Sequence, residues 1–459
     1  MAKRNLTAVL TSAGMGTRLR PLNLYSPMSM IPKGLIRIMG IPIAELQLEG
    51  FKAAGLENVY IITQYLENRE HLSNRFSDGT HRFGLNIYYS NPADDMTNNE
   101  SGDAVLTNIE RHNLTGDSIC LSNDNLFEFN AGRVVEAHRD SSAVISIMTT
   151  KMNPKATIRS YGLVDSDANH KVTALLEKPE DEREIMTTLN LSDPQKLDDM
   201  SVQVNTAGYV LNNDLLSKIS KEKWVVEGRK KINGKFDMAG ALIKRLVEHG
   251  YPVYAIPIDA WGDFGSTNYF LDTFPKALNG SFPSVYSTLS KRNYKHFPKS
   301  NVWIHNDSLA RENSAGKTLE QRIGSGKVRI GPNVFIGRDY IIEDDADISF
   351  TDLEKYNEVG KGAVIQGVYS FPYCRIGPLA NLRECAFGLE TSVLSSKESS
   401  TQINGRTVVG PRIVIPVGTR LDSTIIFPGY EFKGKGEVHS NKVLRPTHKR
   451  IAQILSQYI

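Results

Sequence analysis

The sequence predicts an open α/β sheet domain followed by a parallel β-helix, on three observations. Through the first half of the chain, apolar strand-like runs alternate with amphipathic helical stretches, the rhythm of a sheet covered by helices on both faces. The first apolar run, Thr7 to Thr11, breaks into the small-residue string Ser-Ala-Gly-Met-Gly-Thr-Arg, as when a buried strand delivers a tight loop to a sheet edge. Beyond Pro298 an aliphatic-glycine step recurs at Ile323-Gly324, Ile330-Gly331, Ile336-Gly337, Val359-Gly360, Ile376-Gly377 and Val409-Gly410. A small residue beside each inward aliphatic suits stacked coils sharing one core.

A chain of 459 residues has room for two or three domains, each with its own core. The divisions expected are 1–298, including a bridging segment from about 271 punctuated by Pro275, Pro283 and Pro298; the β-helix at 299–440; and a terminal amphipathic helix at 441–459. Interruptions of the repeat near 350–356 and 389–406 predict protruding loops. With 54 Lys+Arg against 51 Asp+Glu, a net charge of +3 gives no basis for a nucleic-acid surface. Three scattered cysteines, Cys120, Cys374 and Cys385, build neither a disulfide frame nor a thiolate metal site. There is no sustained apolar segment, so a cytoplasmic protein without membrane association is expected, and the β-helix favours a homo-oligomer.

The loop after the first strand carries the chemistry. Gly14 and Gly16 let the main chain approach a ligand closely, and their N–H groups suit an anion-binding nest. Arg18 and Arg20 add forked cationic donors for phosphate oxygens, and Pro21 stops the segment running on as a helix. Two commoner phosphate loops are excluded by spacing: a dinucleotide fingerprint needs glycine where Leu19 stands, and Ala-Gly-Lys-Thr at 315–318 lacks the P-loop's first glycine because Arg311 is there.

Further along, residues 43–66 read as a helix and then a strand, and 85–93 as a strand. The apolar run 118–129 carries Asp124 between Asn123 and Asn125, where open α/β sheets place ligand-binding carboxylates. Residues 143–152 make another strand. Tyr161–Val164 and Val172–Leu176 pair as a hairpin ending in Glu177-Lys178-Pro179. Residues 204–214 turn into a strand, 238–250 show helical apolar spacing closed by Gly250, and 251–259 form a strand ending in WGDFGST.

Taken together, TSAGMGTRLRP followed by PKGLIRIMGIP resembles the signature of the sugar-1-phosphate nucleotidyltransferases, L-A-G-G-x-G-T-R-L-x-P and then P-K-x-L-(I/L/M)-P-(I/V)-x-x-x-P. The resemblance implies a Rossmann-like, glycosyltransferase-A-like domain followed by a left-handed parallel β-helix. By position it places Ser12, Ala13, Gly14, Gly16 and Thr17 in the nucleotide loop, with Arg18 and Lys33 on the triphosphate. The preceding SPMSMIP, with Met28 where lysine would stand, marks an insertion. Ser101, Gly102, Asp103 and Ala104 match the later positions of a G-(S/T)-x-x-A loop beside the base, with Glu100 at its first glycine and a lean toward the adenylyl-type loop. Asp124 matches the Mg²⁺ aspartate of (L/V)-x-x-G-D-(D/N/Q), with Asn123 in place of glycine. Gly162, Glu177, Lys178 and Asn205 match the sugar-phosphate elements. Asp263 of WGDFGST matches the second Mg²⁺ carboxylate, with Phe264 and Ser266 as departures.

These residue types suit joining a sugar-1-phosphate to a nucleoside triphosphate with release of pyrophosphate. A phosphate oxygen is already ionised and needs no general base; approach of two polyanions needs cations and a metal. Helix start is the second reading of Ser101 or Asp103. Two other functions stay open: a non-catalytic regulatory or scaffold subunit, and a bifunctional enzyme whose β-helix transfers an acyl group using His305 or His439.

Overall fold

The computed structural model describes residues 5–12, 14, 16–25, 30–63, 66–90, 93, 97–230, 232, 234–313, 315–447 and 450–451. They divide into two compact units, Met1–Met15 with Gln47–Trp261, and Gly16–Leu46 with Gly262–Ile459. The boundary drawn at residue 298 follows a change in sequence character, whereas compactness groups the segment after the signature loop with the solenoid.

The first unit is built on a nine-stranded mixed sheet among the described residues. Leu6–Ser12 lies between two parallel neighbours, Asn58–Thr63 and Asp117–Ser122, and Asn86–Tyr89 extends the parallel side. Val202–Asn212 then runs antiparallel to Asp117–Ser122 and carries the Gly162–Ser166/Val172–Glu177 hairpin. It also pairs with Ile145–Met152, to which Val253–Pro257 adds in parallel. The central strands Leu6–Ser12 and Asp117–Ser122 are buried along most of their length because both faces are covered, and their buried polar groups pair with each other, as Thr7 does with Ser118 at 2.6 Å. Val9, Ile62, Cys120 and Ile147 are buried in one cluster with Val105 and Ile109 of the helix Glu100–Arg111.

In the second unit, short strands stack in parallel so that each residue pairs with one a full coil later: Val334 with Thr351, Ile341 with Glu358, Asp347 with Val364. The inward aliphatics, among them Ile336, Ile348, Leu353, Ile365, Val393 and Ile415, form one continuous core. Between strands the chain turns through left-handed residues that recur coil after coil, as at Asp339, Tyr356, Tyr373 and Glu390, with φ of 56, 61, 63 and 59°. The ladder begins earlier than expected, at Tyr294–Phe297, which pairs with Val302–His305. It ends later, at Val443–Leu444. Of the terminal helix expected over 441–459, residues 448–449 and 452–459 lie outside the described residues, and 450–451 are helical.

Of the two expected interruptions, that at 389–406 is shorter than expected: it contains the ladder strands Ser392–Val393 and Gln402–Asn404, and only 394–401 between them is a loop. The other is corrected: Thr351–Leu353 is a buried strand, not a protruding loop. Charge broke the apolar pattern there because Asp352 and Glu354, both 0% exposed, face a covered side of the solenoid. Asp352 accepts the Met39 backbone N–H at 2.7 Å, while Glu354 pairs with Arg37 at 3.0 Å and accepts from the Tyr369 hydroxyl at 2.6 Å. Burial, reinforced by Glu354, pushes the Asp352 carboxyl well above its ordinary range. Helix Thr267–Leu278 covers the same side, with Phe270 edge-on to Tyr369 at 4.6 Å.

Candidate active site

In the first unit, the carboxyl ends of two neighbouring parallel strands are tied together. Ser12 ends Leu6–Ser12, and Asn123 and Asp124 make the turn between Asp117–Ser122 and Asn125–Glu128. The Asn123 amide donates to the Ser12 hydroxyl at 2.6 Å, and its backbone N–H to the Thr11 carbonyl at 3.0 Å. Gln47 holds the same turn from outside, donating to the carbonyls of Ser122 and Asn125 at 2.8 and 2.9 Å. Asp124 is half-buried and accepts from the Ser122 hydroxyl at 2.5 Å. Asn68 donates to the Ser12 carbonyl at 3.5 Å. Gly14 is exposed; Ala13 lies outside the described residues.

A second group in this unit gathers the hairpin and the long strand. Gly162 faces Glu177: a Cβ built on it would stand 2.5 Å from a Glu177 carboxylate oxygen and 3.4 Å from Asn205 Cβ. Glu177 pairs with Lys178 at 3.1 Å, and Lys178, with φ of 49°, turns its exposed side chain out of the strand line. Asn205 sits where the ladder with Ile145–Met152 slips register; its side-chain oxygen accepts from Ala207 N–H at 2.9 Å and its amide donates to the Tyr209 hydroxyl at 3.0 Å. Burial raises the Glu177 carboxyl above its ordinary value of 4.5, with Lys178 opposing and Asp237 adding to the rise. A raised folded-state pKa means that ionised Glu177 opposes folding above that pKa, and the penalty is absent below the unfolded value. Glu177→Gln is therefore expected to raise the melting temperature near pH 7.5, with the gain fading toward about pH 4. Thermal unfolding of both proteins across that range checks it.

The expected base loop is otherwise engaged. Ser101 accepts from Met238 N–H at 3.0 Å, and Gly102 donates to the Phe236 carbonyl at 3.0 Å. Asp103 accepts from Asn99 N–H at 2.7 Å and pairs with Arg229 at 2.5 Å. A Cβ on Gly102 would come within 2.8 Å of two backbone carbonyl oxygens, so only glycine admits this strap over the helix start. The cap position itself is Asn99, not Ser101 or Asp103, which lie inside the helix Glu100–Arg111; Asp103 instead reaches back to the cap residue's N–H.

In the second unit, Gly16 takes φ of 65° before the short turn Thr17–Leu19, and Thr17 and Arg18 are exposed. Lys33 comes to this loop: its Cγ stands 3.1 Å from where a Gly16 Cβ would be. Asn23, 1% exposed, donates to the Gly16 carbonyl at 3.1 Å. Met28 lies outside the described residues. Asp263 ends the strand Ala260–Asp263 and accepts from Gly265 N–H at 2.5 Å. The departures beside it have structural reasons. Phe264 is fully buried against Phe270 at 5.5 Å, and Ser266 caps the helix Thr267–Leu278.

His305 caps the helix Asn306–Ala310 through Asp307 N–H, and burial lowers its pKa; His439 pairs with Glu437 at 2.9 Å. Sequence reasoning missed Gln47, Asn68 and Asn23. The available signal was an amide inside an apolar stretch, as Asn23 stands between buried Leu22 and Leu24.

Residues 7–280 match the family model described as Nucleotidyl transferase. The chain belongs to this family. As a nucleotidyl transferase it is 26% identical over 366 residues to a UTP–glucose-1-phosphate uridylyltransferase of Synechocystis sp., covering 78% of this chain and 85% of the relative. It is 24% identical to a mannose-1-phosphate guanylyltransferase of Mycobacterium tuberculosis, covering 62% and 68% of the two chains. A glucose-1-phosphate adenylyltransferase of Koribacter versatilis is 26% identical, with 58% and 62% covered. Among the described residues of this nucleotidyl transferase, no helix is long and apolar enough to cross a membrane.

Proposed function

We propose that this nucleotidyl transferase moves a nucleotidyl group from a nucleoside triphosphate to a hexose-1-phosphate, releasing pyrophosphate. The observation that supports it most is the pairing of Ser12 with Asn123, which sets the start of the phosphate loop beside the Asp124 turn at the carboxyl ends of two parallel strands. That edge is where open α/β sheets bind ligands. Arg18 and Lys33 neutralise the triphosphate, and Lys178 holds the sugar phosphate while Glu177 and Asn205 meet sugar hydroxyls. The sugar phosphate oxygen attacks the α-phosphorus, the bond to the β-phosphate bridging oxygen breaks, and the pyrophosphate leaves with its charge. Asp124 and Asp263 offer hard oxygen donors suited to a divalent cation such as Mg²⁺, which would supply charge stabilisation at the α-phosphate.

The test is pyrophosphate release across a panel of UTP, GTP, ATP and dTTP with glucose-, mannose- and amino-sugar-1-phosphates. One productive pair is expected; silence across the panel would leave the regulatory reading standing. Within that assay, Gly162→Val is expected to raise KM for the sugar phosphate by about 10- to 100-fold, because the new side chain enters the space held by the Glu177 carboxylate. The triphosphate KM is expected to stay within about threefold.

A further inference from the structure

The chain departs from the family signature at two positions that touch each other. The signature has alanine where this sequence has Ser12, and glycine where it has Asn123. Each departure alone puts a polar group into a buried place: Ser12 is 4% exposed and Asn123 5%. Either one unpartnered would carry the desolvation penalty of a buried polar group. Together they satisfy one another, the Asn123 amide donating to the Ser12 hydroxyl at 2.6 Å across residues 111 apart in sequence. The strands behind them are already in register, Leu10 beside Leu121 and Thr11 beside Ser122, so the bond is not needed to align the sheet. It acts on what lies beyond the strand ends: the glycine loop after Ser12 and the carboxylate of Asp124.

We propose that Ser12 and Asn123 are a positioning pair, a side-chain clamp that fixes the strand end from which the phosphate loop departs beside the carboxylate turn, where a small apolar pair would leave that spacing to the backbone. Ser12 then works through Asn123 rather than by touching the nucleotide. This rests on the nucleotidyl-transfer reading of the site. Two neighbours complete the clamp: Asn68 takes the Ser12 carbonyl from one side, and Gln47 takes the two carbonyls flanking Asn123 and Asp124 from the other. These three holds on the strand ends are made by amide side chains, neutral at all working pH, so they do not titrate.

The experiment is a four-protein cycle: wild type, Ser12→Ala, Asn123→Gly and the double variant that restores both signature residues. Each is measured for melting temperature, kcat, KM for the triphosphate, and affinity for Mn²⁺ alone by electron paramagnetic resonance. Each single variant is expected to lose about 10- to 100-fold in kcat, and the double variant no more than either single one, because residues acting as a unit are non-additive. Mn²⁺ affinity is expected to fall in the single variants and recover in the double. Losses that multiply in the double variant, or melting temperatures that fall while kcat and Mn²⁺ affinity hold, overturn the proposal and leave a structural hydrogen bond. If wild type releases no pyrophosphate, the reaction assignment fails on its own. The Mn²⁺ cycle then still decides the clamp: recovery in the double variant supports it, and equal affinity in all four proteins overturns it.

Discussion

Asp124→Asn is expected to lower turnover by about a hundredfold or more, and Asp263→Asn to do the same, because each exchanges a charged oxygen donor for a neutral one at a developing charge. The substitutions are nearly isosteric. The asparagine amide keeps one oxygen, which can still accept the Ser122 hydroxyl in the first variant and Gly265 N–H in the second, the hydrogen bonds that Asp124 and Asp263 make at 2.5 Å. The fold is therefore expected to persist while the chemistry is lost. Divalent-cation-dependent pyrophosphate release, measured beside circular dichroism of each variant, checks both halves. Near-normal release by both variants would remove the metal assignment.

The largest effect on stability is expected from Glu354→Ala. Glu354 is wholly buried, pairs with Arg37 at 3.0 Å and accepts from the Tyr369 hydroxyl. Its loss takes the carboxylate from a three-quarters-buried guanidinium and leaves the buried phenol the Arg37 carbonyl, at 2.9 Å, as acceptor. Removing one partner of a buried pair costs about 3 to 5 kcal/mol, and the partial exposure of Arg37 puts this one at about 3. The control is Glu358→Gln, which removes a pair with Arg375 at 3.6 Å in which both side chains are about half exposed or more. That substitution is expected to change stability by about 0.5 kcal/mol or less. Denaturant melts of the two variants separate the cases. Because Arg37 lies shortly after Lys33 in the chain, Glu354→Ala is also expected to weaken triphosphate binding, and Glu358→Gln is not.

What sequence reading reached and what it missed divide along a physical line. The strand–helix rhythm and the aliphatic-glycine step report burial directly, and both led to the observed elements except at Ile323-Gly324, which closes the helix Leu319–Gly324 instead of opening a coil of the solenoid. Where polar residues are buried in pairs, the same logic failed: Asp352 and Glu354 read as a solvated loop because their partners, Met39 and Arg37, are far away in sequence. The glycine-rich loop and the carboxylate turn were legible as chemistry, since glycine and aspartate are informative at the ends of strands. Their supports were not, because an amide inside an apolar stretch, as Gln47 between Leu46 and Leu48, signals burial without saying what it holds; its role exists only once distant backbone carbonyls are brought beside it. Ser101 and Asp103 show the converse. A string read as a base loop also holds the helix start, through Met238, Phe236 and Arg229, a second role that its spacing did not reveal and that does not exclude the first.

The central claim is that a nucleotidyl group passes to a sugar phosphate with pyrophosphate as the leaving group, and label partitioning tests it most directly. With the productive substrate pair, label at the α-phosphate of the triphosphate is predicted to appear wholly in the sugar nucleotide, and label at the γ-phosphate wholly in pyrophosphate. Appearance of γ-label in inorganic phosphate, or of α-label in a free mononucleotide with the sugar phosphate unchanged, would contradict the account.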